Sequence, residues 1–161
     1  MPNEPDPYLA AERLKSFDAD AVEGVQVFRG ETSVIIRPDR LLHVAEFLRD
    51  DPELSFKYLS DVTAVDHHPN EPRFETVYHL YSIEKNRRLR LKVKLGGDNP
   101  TVDSVVPIWP GAQGFECEVY DLFGFHFNGH PDLRRLLIPE DWEGHPLRKD
   151  YSVQGNITRW P

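Results

Sequence analysis

Histidine residues occur in two groups whose spacing could bind a metal ion. His126 and His130 are four residues apart, which on a helix would place both rings on one face, as in many zinc sites. The Asn-Gly pair between them favours a turn, and neither a following Glu nor a third ligand is evident. Residues 66–68 (Asp-His-His) lie in a proline-rich loop, where a solvated histidine pair is the commoner case. We therefore predict no metal site.

Three carboxylates, those of Glu116, Glu118 and Asp121, are close enough in sequence to suggest a paired acid and base. On a helix, side chains two positions apart point away from each other, so only Glu118 and Asp121 share a face. We expect these acids to bind basic residues of the C-terminal region and to tie it to the helix. The candidate basic residues are Arg134, Arg135, Arg148 and Lys149. No catalytic residue is predicted in this chain.

The chain also lacks the usual motifs for nucleotides and redox centres. There is no G-x-G-x-x-G, P-loop or G-x-S-x-G sequence, so nucleotide binding and serine-based hydrolysis have no support. Cys117 is the single cysteine, which excludes an intrachain disulfide and the four thiolates that an iron–sulfur cluster usually requires. We expect Cys117 to be small, inert and partly buried. No cofactor-binding residue is predicted.

Hydrophobic periodicity predicts the elements that position these residues. Apolar residues at helical spacing indicate helices over 7–22, 39–50 and 112–123, with Asp39 capping the second and Gly124 ending the third. Residues 25–28 and 33–36 are predicted to form a hairpin with Gly30 in the turn. Three further strands are predicted over 58–66, 74–83 and 88–95, and the last of them alternates with a period of two. The predicted fold is α+β: a largely antiparallel or mixed sheet with helices packed on one face, plus an extended C-terminal tail.

Length and charge limit the class of protein. At 161 residues and 18.7 kDa we expect an N-terminal helix or arm (1–24), an α+β domain (25–128) and an extended docking tail (129–161). A net charge of -8 argues against a nucleic-acid partner, whose phosphates would be repelled. No apolar run reaches the roughly 20 residues that span a bilayer. Any association with a membrane is therefore expected to come through partner proteins.

The region from residue 108 to residue 151 is rich in aromatic residues, paired charges, Pro and Gly. Large aromatics and Arg supply much of the energy at protein interfaces, and a backbone fixed by Pro and Gly loses little entropy on binding. This composition suits a docking surface better than an active site. By composition alone, an ordinary surface loop region remains the alternative.

The order of the residues in this region resembles one protein family. The resemblance is to the C subunit of NADH:quinone oxidoreductase (respiratory complex I), the 30 kDa subunit family, and it covers about residues 25–151. The residues that carry it most specifically are Glu116, Glu118, Asp121, Leu122, Phe123, His130, Arg134, Leu136, Leu137, Pro139, Asp141, Trp142, His145, Pro146, Leu147, Arg148, Lys149, Asp150 and Tyr151. Members of this family usually carry Arg between the two glutamates, where this chain has Cys117.

The resemblance implies a component of the peripheral arm that holds no cofactor, with FMN and iron–sulfur clusters in other subunits. It implies that the signature residues form a partner interface, chiefly with the D subunit of complex I, which helps to form the quinone site. The chain would then support NADH-to-quinone electron transfer coupled to ion translocation, as a peripheral subunit at the cytoplasmic face of the plasma membrane. Two alternatives are the equivalent subunit of a membrane-bound hydrogenase or other donor-specific complex, and a stand-alone small-molecule enzyme.

Overall fold

A computed structural model describes residue 6 and residues 8–152 of the chain. The predicted start of the first helix at Pro7 and the last nine residues of the predicted tail lie outside the described residues. The helices are α1 (Leu9–Phe17), α2 (Leu41–Asp50) and α3 (Ala112–Phe123), with short 3-10 turns at Ala19–Ala21 and Pro38–Arg40. The strands are β1 (Val22–Phe28), β2 (Glu31–Ile36), β3 (Tyr58–Asp66), β4 (Phe74–Ser82), β5 (Arg87–Leu95), β6 (Thr101–Asp103) and β7 (His126–Asn128).

Five strands form a mixed sheet in the order β1-β2-β5-β4-β3. All neighbours are antiparallel except β2 and β5, which run parallel. The β1–β2 hairpin turns through Arg29 and Gly30, whose φ angles of 52° and 79° are those of a tight two-residue turn. The predicted β4–β5 hairpin is present, with pairing along the whole of both strands. The predicted α+β class is confirmed.

The core lies between one face of this sheet and the helices. Along β5, Leu89, Leu91, Val93 and Leu95 are buried, whereas the intervening basic side chains point to the other face. The buried sheet residues form one cluster with side chains of all three helices. We call the sheet face that carries the basic residues of β5 the outer face.

Two predictions about helix ends were wrong. The first helix ends at Phe17 rather than running to 22, because Asp18 is extended and its carboxylate accepts a hydrogen bond from the N–H of Ala21. Asp39 does not cap the second helix, which begins at Leu41. Its carboxylate is bound by the guanidinium of Arg37 instead, at 2.9 Å. The guanidinium of Arg37 thus competes with the backbone N–H groups of the helix for the Asp39 carboxylate.

The small parallel sheet of β6 and β7 was not predicted. Strands of three residues are too short to show a period of two, and β7 lies where only a turn was expected. The predicted apolar stripe of α3 was also incomplete. Of the expected stripe residues Phe115, Val119, Leu122 and Phe123, only Val119 is buried. The helix residues Glu116, Cys117 and Asp121 are buried as well. Helix α3 is covered on two sides, by the core and by the chain that follows it.

Candidate docking site at the end of helix α3

The carboxylate of Asp121 organises the chain that follows α3. Its side chain is fully buried, and its Oδ2 accepts hydrogen bonds from three consecutive backbone N–H groups, those of Leu136 (3.1 Å), Leu137 (2.8 Å) and Ile138 (3.0 Å). Its Oδ1 accepts from Nη1 of Arg135 at 2.8 Å. Burial alone would raise the pKa of Asp121, but these donors outweigh it and hold the pKa below its usual range. The ionised carboxylate therefore fixes the backbone of residues 136–138.

The last carbonyl groups of α3 are also bound by the tail. Leu147 N–H donates to the carbonyl of Leu122 (3.0 Å), and Nε of Arg148 donates to that of Phe123 (2.6 Å). The carbonyl of Asp121 lies 3.0 Å from Nδ1 of His145, which must therefore carry the proton. A guanidinium at this end of the helix is also favoured by the helix dipole.

A second cluster anchors the far end of the tail to the sheet. The buried guanidinium of Arg73 binds Asp66 through Nε (3.0 Å) and Nη2 (2.9 Å), and Nη2 also binds Asp150 (2.8 Å). The backbone N–H of Lys149 donates to the same Asp66 carboxylate at 2.9 Å. These bonds, first among them those from Arg73, strongly lower the pKa of Asp66. The guanidinium of Arg148 lies 5.0 Å from the ring centroid of Phe74, at the start of β4.

The middle of the tail is held by hydrogen bonds between its own residues. Nε1 of Trp142 donates to the hydroxyl of Tyr151 at 3.0 Å. Nη2 of Arg135 donates to the carbonyls of Trp142 (3.2 Å) and Gly144 (2.9 Å), so one guanidinium joins Asp121 to residues 142–144. Although residues 129–152 contain no helix or strand, their path is fixed by charged and polar contacts within the chain.

The other acids of α3 do not bind the tail's basic residues as predicted. Glu116 is fully buried, and its carboxylate is hydrogen-bonded to Ser104 Oγ (2.6 Å) and Val105 N–H (2.8 Å). Burial raises the pKa of Glu116. Glu118 is exposed, and no ion pair joins it to another part of the described chain. Among the described residues, the predicted ion pairing of these acids with basic tail residues is present between Asp121 and Arg135.

His126 and His130 do not lie on a helix, in agreement with the turn expected between them. His126 is exposed on β7, and His130 lies in the turn that follows. Nε2 of His130 is 3.0 Å from the carbonyl of Gln113, and Nδ1 accepts from the N–H of Asp132 at 3.1 Å, so the ring forms a structural bridge between α3 and the chain that follows β7. The buried Cys117 thiol donates to the Asp132 carbonyl at 3.3 Å. Within residues 6 and 8–152, no group of three or more His, Cys, Asp or Glu side chains could hold a metal ion.

Within residues 129–152, three large apolar side chains remain at the surface. The exposed fractions are 48% for Leu136, 63% for Leu137 and 51% for Leu147. All three belong to residues whose backbone N–H is bound by Asp121 or by the end of α3. Such a pre-ordered apolar surface loses little entropy when another protein covers it. The fold and this site define a class of protein: an α+β domain whose described tail is fixed by contacts within the chain and presents leucines outward.

Comparison with known proteins identifies the family within that class. The sequence pattern of the family described as "Respiratory-chain NADH dehydrogenase, 30 Kd subunit" matches residues 34–157. The C subunit of NADH-quinone oxidoreductase from Roseiflexus sp. (strain RS-1) is 53% identical over 142 residues, which cover 88% of this chain and 82% of that protein. The corresponding protein of Geotalea uraniireducens is 44% identical over 143 residues, covering 89% and 86%.

Two solved structures share the fold. The trypsin-resistant fragment (1-134) of Nqo5 matches with a TM-score of 0.63 and 28% identity, covering 78% of this chain and all of that one. A chain of the membrane-bound sulfane sulfur reductase, an archaeal respiratory membrane complex, matches with a TM-score of 0.75 and 25% identity, covering 89% and 84%. The chain belongs to the family of the 30 kDa subunit of respiratory-chain NADH dehydrogenase. The family resemblance predicted from the signature residues is confirmed.

Family membership makes this chain part of an enzyme complex, NADH-quinone oxidoreductase, and gives it the other subunits of that complex as partners. No helix in the described part of the chain is long and apolar enough to cross a membrane.

The cluster of Arg73 and Asp66 was missed from the sequence, where Asp66 was considered only as a metal ligand. The available signal was the hairpin register, which places Asp66 opposite Phe74 and hence beside Arg73.

Proposed function

We propose that this chain is a structural component of the peripheral arm that holds no cofactor and that packs against the D subunit of the complex through its C-terminal tail. In this role it supports the protein that forms the quinone site during NADH-to-quinone electron transfer. The observation that carries the proposal is the set of three exposed leucines, Leu136, Leu137 and Leu147, on a backbone fixed by Asp121 and the end of α3.

The signature residues divide by role. Charged and polar members, among them Asp121, His145, Arg148 and Asp150, hold the tail to its own domain. The hydrogen bonds of these residues are made within the chain and need no partner protein. Substitution of these residues would therefore first disturb the tail itself. The exposed leucines have no such internal task. Burying one leucine against another protein contributes about 1.5 to 3 kcal/mol, so these side chains supply the affinity.

Cofactors and attachment to the membrane belong to the assembled complex. With a single cysteine the chain cannot supply four thiolates to an iron–sulfur cluster, which supports our proposal that FMN and the clusters belong to other subunits. Attachment to the cytoplasmic face of the plasma membrane would come through the partner proteins. In this role residues 25–128 would form the α+β domain and residues 129–161 the docking tail, while α1 packs on the core of the domain through Ala10, Ala11 and Leu14.

A second candidate is the equivalent subunit of a complex with another electron donor. It is favoured by one observation, the TM-score of 0.75 to a chain of the sulfane sulfur reductase complex. The sequence identity of 53% to a C subunit of NADH-quinone oxidoreductase supports the first candidate. Purification of the native complex separates them: partner proteins that bind FMN and oxidise NADH support the first, and their absence supports the second. A free monomer with its own turnover would support a stand-alone enzyme instead.

The docking role is tested by replacing the exposed leucines. The triple variant Leu136→Ser, Leu137→Ser and Leu147→Ser is expected to reduce the amount of assembled complex by about tenfold or more, because apolar burial at the interface is lost. The isolated chain should keep its melting temperature within a few degrees, since exposed side chains contribute little to folding. Blue native gels of membranes and thermal unfolding of the isolated chain measure the two effects.

Ile83 provides the matched control. It is 71% exposed and lies just after β4, outside the tail. Ile83→Ser removes a similar exposed apolar side chain and should leave assembly at the wild-type level. If the triple variant assembles as well as Ile83→Ser does, the leucines are not the docking surface.

A further inference from the structure

The outer face of the sheet carries a second surface that the tail does not use. Ile35 and Val77 are buried on this face but do not belong to the main core cluster. Between them in the sheet register lies Lys92, one of the basic residues that β5 presents to this side. No helix of residues 8–152 contributes a side chain to the lining of the two grooves on this face. The two grooves are therefore formed by strands of the sheet and by the loop between β3 and β4.

The larger groove, of about 440 Å³, lies where β2, β3 and β5 begin and β4 ends. Tyr58 and Tyr81 face each other across β3 and β4, and Arg88 is the next residue along the same row. The guanidinium of Arg88 lies 5.7 Å from the ring centroid of Tyr81. Tyrosine and arginine in this arrangement are the residue types that most often dominate binding energy at interfaces.

Of the four charged side chains that line the groove, Arg88 and Asp61 form no ion pair within the described residues. Arg90 forms an ion pair with Glu31, and Asp61 lies on β3, opposite His79 and two strands away from Arg88. Burial, reinforced by the charge of Arg90, lowers the pKa of His79. Arg88 is exposed, and no carboxylate in the described ranges forms an ion pair with it. The charge of Arg88 lies beside the aromatic pair of Tyr58 and Tyr81.

We propose that this groove binds an acidic segment of another protein of the complex, with a carboxylate that pairs with Arg88 between Tyr58 and Tyr81. The reason is electrostatic. A partner that covered the groove without a carboxylate would bury the charge of Arg88 uncompensated, which opposes binding strongly. An acidic side chain removes that penalty and forms a two-point hydrogen bond with the guanidinium.

This contact is independent of the tail surface. The groove lies at the Tyr58 end of β3, whereas the tail is anchored at Asp66, the opposite end of that strand. The nine residues of β3 separate the two ends by roughly 26 Å at about 3.3 Å per residue. A protein with both surfaces can be fixed in the complex at two points, which determines its orientation as well as its position.

The test compares two substitutions at Arg88 in the complete complex. Arg88→Glu places a like charge opposite the acidic segment and is expected to lower assembly about tenfold. Arg88→Lys keeps the charge and should assemble better than Arg88→Glu. Lys15→Glu is the control, because Lys15 is exposed on α1. This substitution changes the net charge by the same amount as Arg88→Glu. The melting temperature of each isolated chain shows whether folding is affected.

Arg88→Lys also allows the partner carboxylate to be identified. Treatment of the purified complex with a carbodiimide joins a lysine amine to a carboxylate only when the two are in contact. We expect a product that links position 88 to an Asp or Glu of a different protein of the complex, found by mass spectrometry. Wild-type assembly of Arg88→Glu would overturn the proposal. So would an intact Arg88→Lys complex whose only products at position 88 lie within this chain or a second copy of it.

Discussion

Asp121→Asn is expected to lower the free energy of unfolding of the isolated chain by about 3 to 5 kcal/mol at pH 7, the usual cost of breaking a buried ion pair from one side. The amide keeps one oxygen, but its NH₂ group would face either the guanidinium of Arg135 or the three N–H groups of residues 136–138. Either orientation sets donors against donors. Urea denaturation of the wild type and the variant measures the difference.

The pH dependence of the same variant gives a sharper test. Because the folded-state pKa of Asp121 is lowered, its carboxylate stabilises the fold above the unfolded pKa of about 3.9. This stabilisation is lost as the pH falls through the folded-state value, since the folded state must then take up a proton. The advantage of the wild type over Asp121→Asn should therefore be full at pH 6 to 7 and shrink under acid conditions.

Asp132→Asn is the control for the loss of a carboxylate in this region. Asp132 is exposed and forms a surface ion pair with Arg134, which usually contributes no more than about 1 kcal/mol. Its substitution should change the urea midpoint little at any pH. Equal effects of the two variants would show that Asp121 does not organise the tail.

Gly124→Ala should lower the free energy of unfolding by about 2 to 4 kcal/mol, for two separate reasons. Gly124 has φ +75°, in the left-handed region that disfavours a Cβ atom. A Cβ there would also lie 2.5 Å from Cδ2 of His145 and 2.8 Å from Nη2 of Arg148. The substitution therefore strains the end of α3 and displaces the two side chains that bind its carbonyl groups.

Gly114→Ala is the matched control because it lies within the same helix. A Cβ at Gly114 meets no atom within 4 Å, so alanine should be neutral or should stabilise the helix by about 0.5 to 1 kcal/mol. Thermal unfolding compares the two variants, and the rate of proteolysis within residues 129–152 reports on the tail. A Gly124→Ala protein as stable and as resistant as Gly114→Ala would contradict the role given to this contact.

The sequence was sufficient for the elements with a clear period and for the family. Strand β3 and helix α3 were predicted with the bounds that the structure has. The helix has apolar residues at helical spacing up to its end at Gly124, and the strand is a run of strand-forming residues that ends where the proline-rich loop begins. Helix ends were less predictable. The carboxylates of Asp18 and Asp39 each have several possible hydrogen-bonding partners nearby in the sequence. Which partner they bind depends on distances in the folded chain, which the sequence does not give.

The site was recognised as a region, but its internal organisation was not. The signature residues were expected to face a partner as a group, and that interface stays a prediction. A sequence does not show whether an Arg or Asp finds its partner in the same chain, as Asp121 and Arg135 do, or in another. It also gives no sign that leucines 136, 137 and 147 stay exposed, because an apolar residue is by default expected in a core.

Crosslinking from Leu137 tests most directly whether the tail presents its leucines to the D subunit of the complex. The photoreactive substitution Leu137→p-benzoylphenylalanine, introduced into the complete complex, reacts with whatever lies against this position. Mass spectrometry after irradiation is predicted to show a product with the D subunit, and the same substitution at Ile83 should not show it. Full assembly with no intersubunit product at position 137, or with a product to a different partner alone, would contradict the proposed docking role.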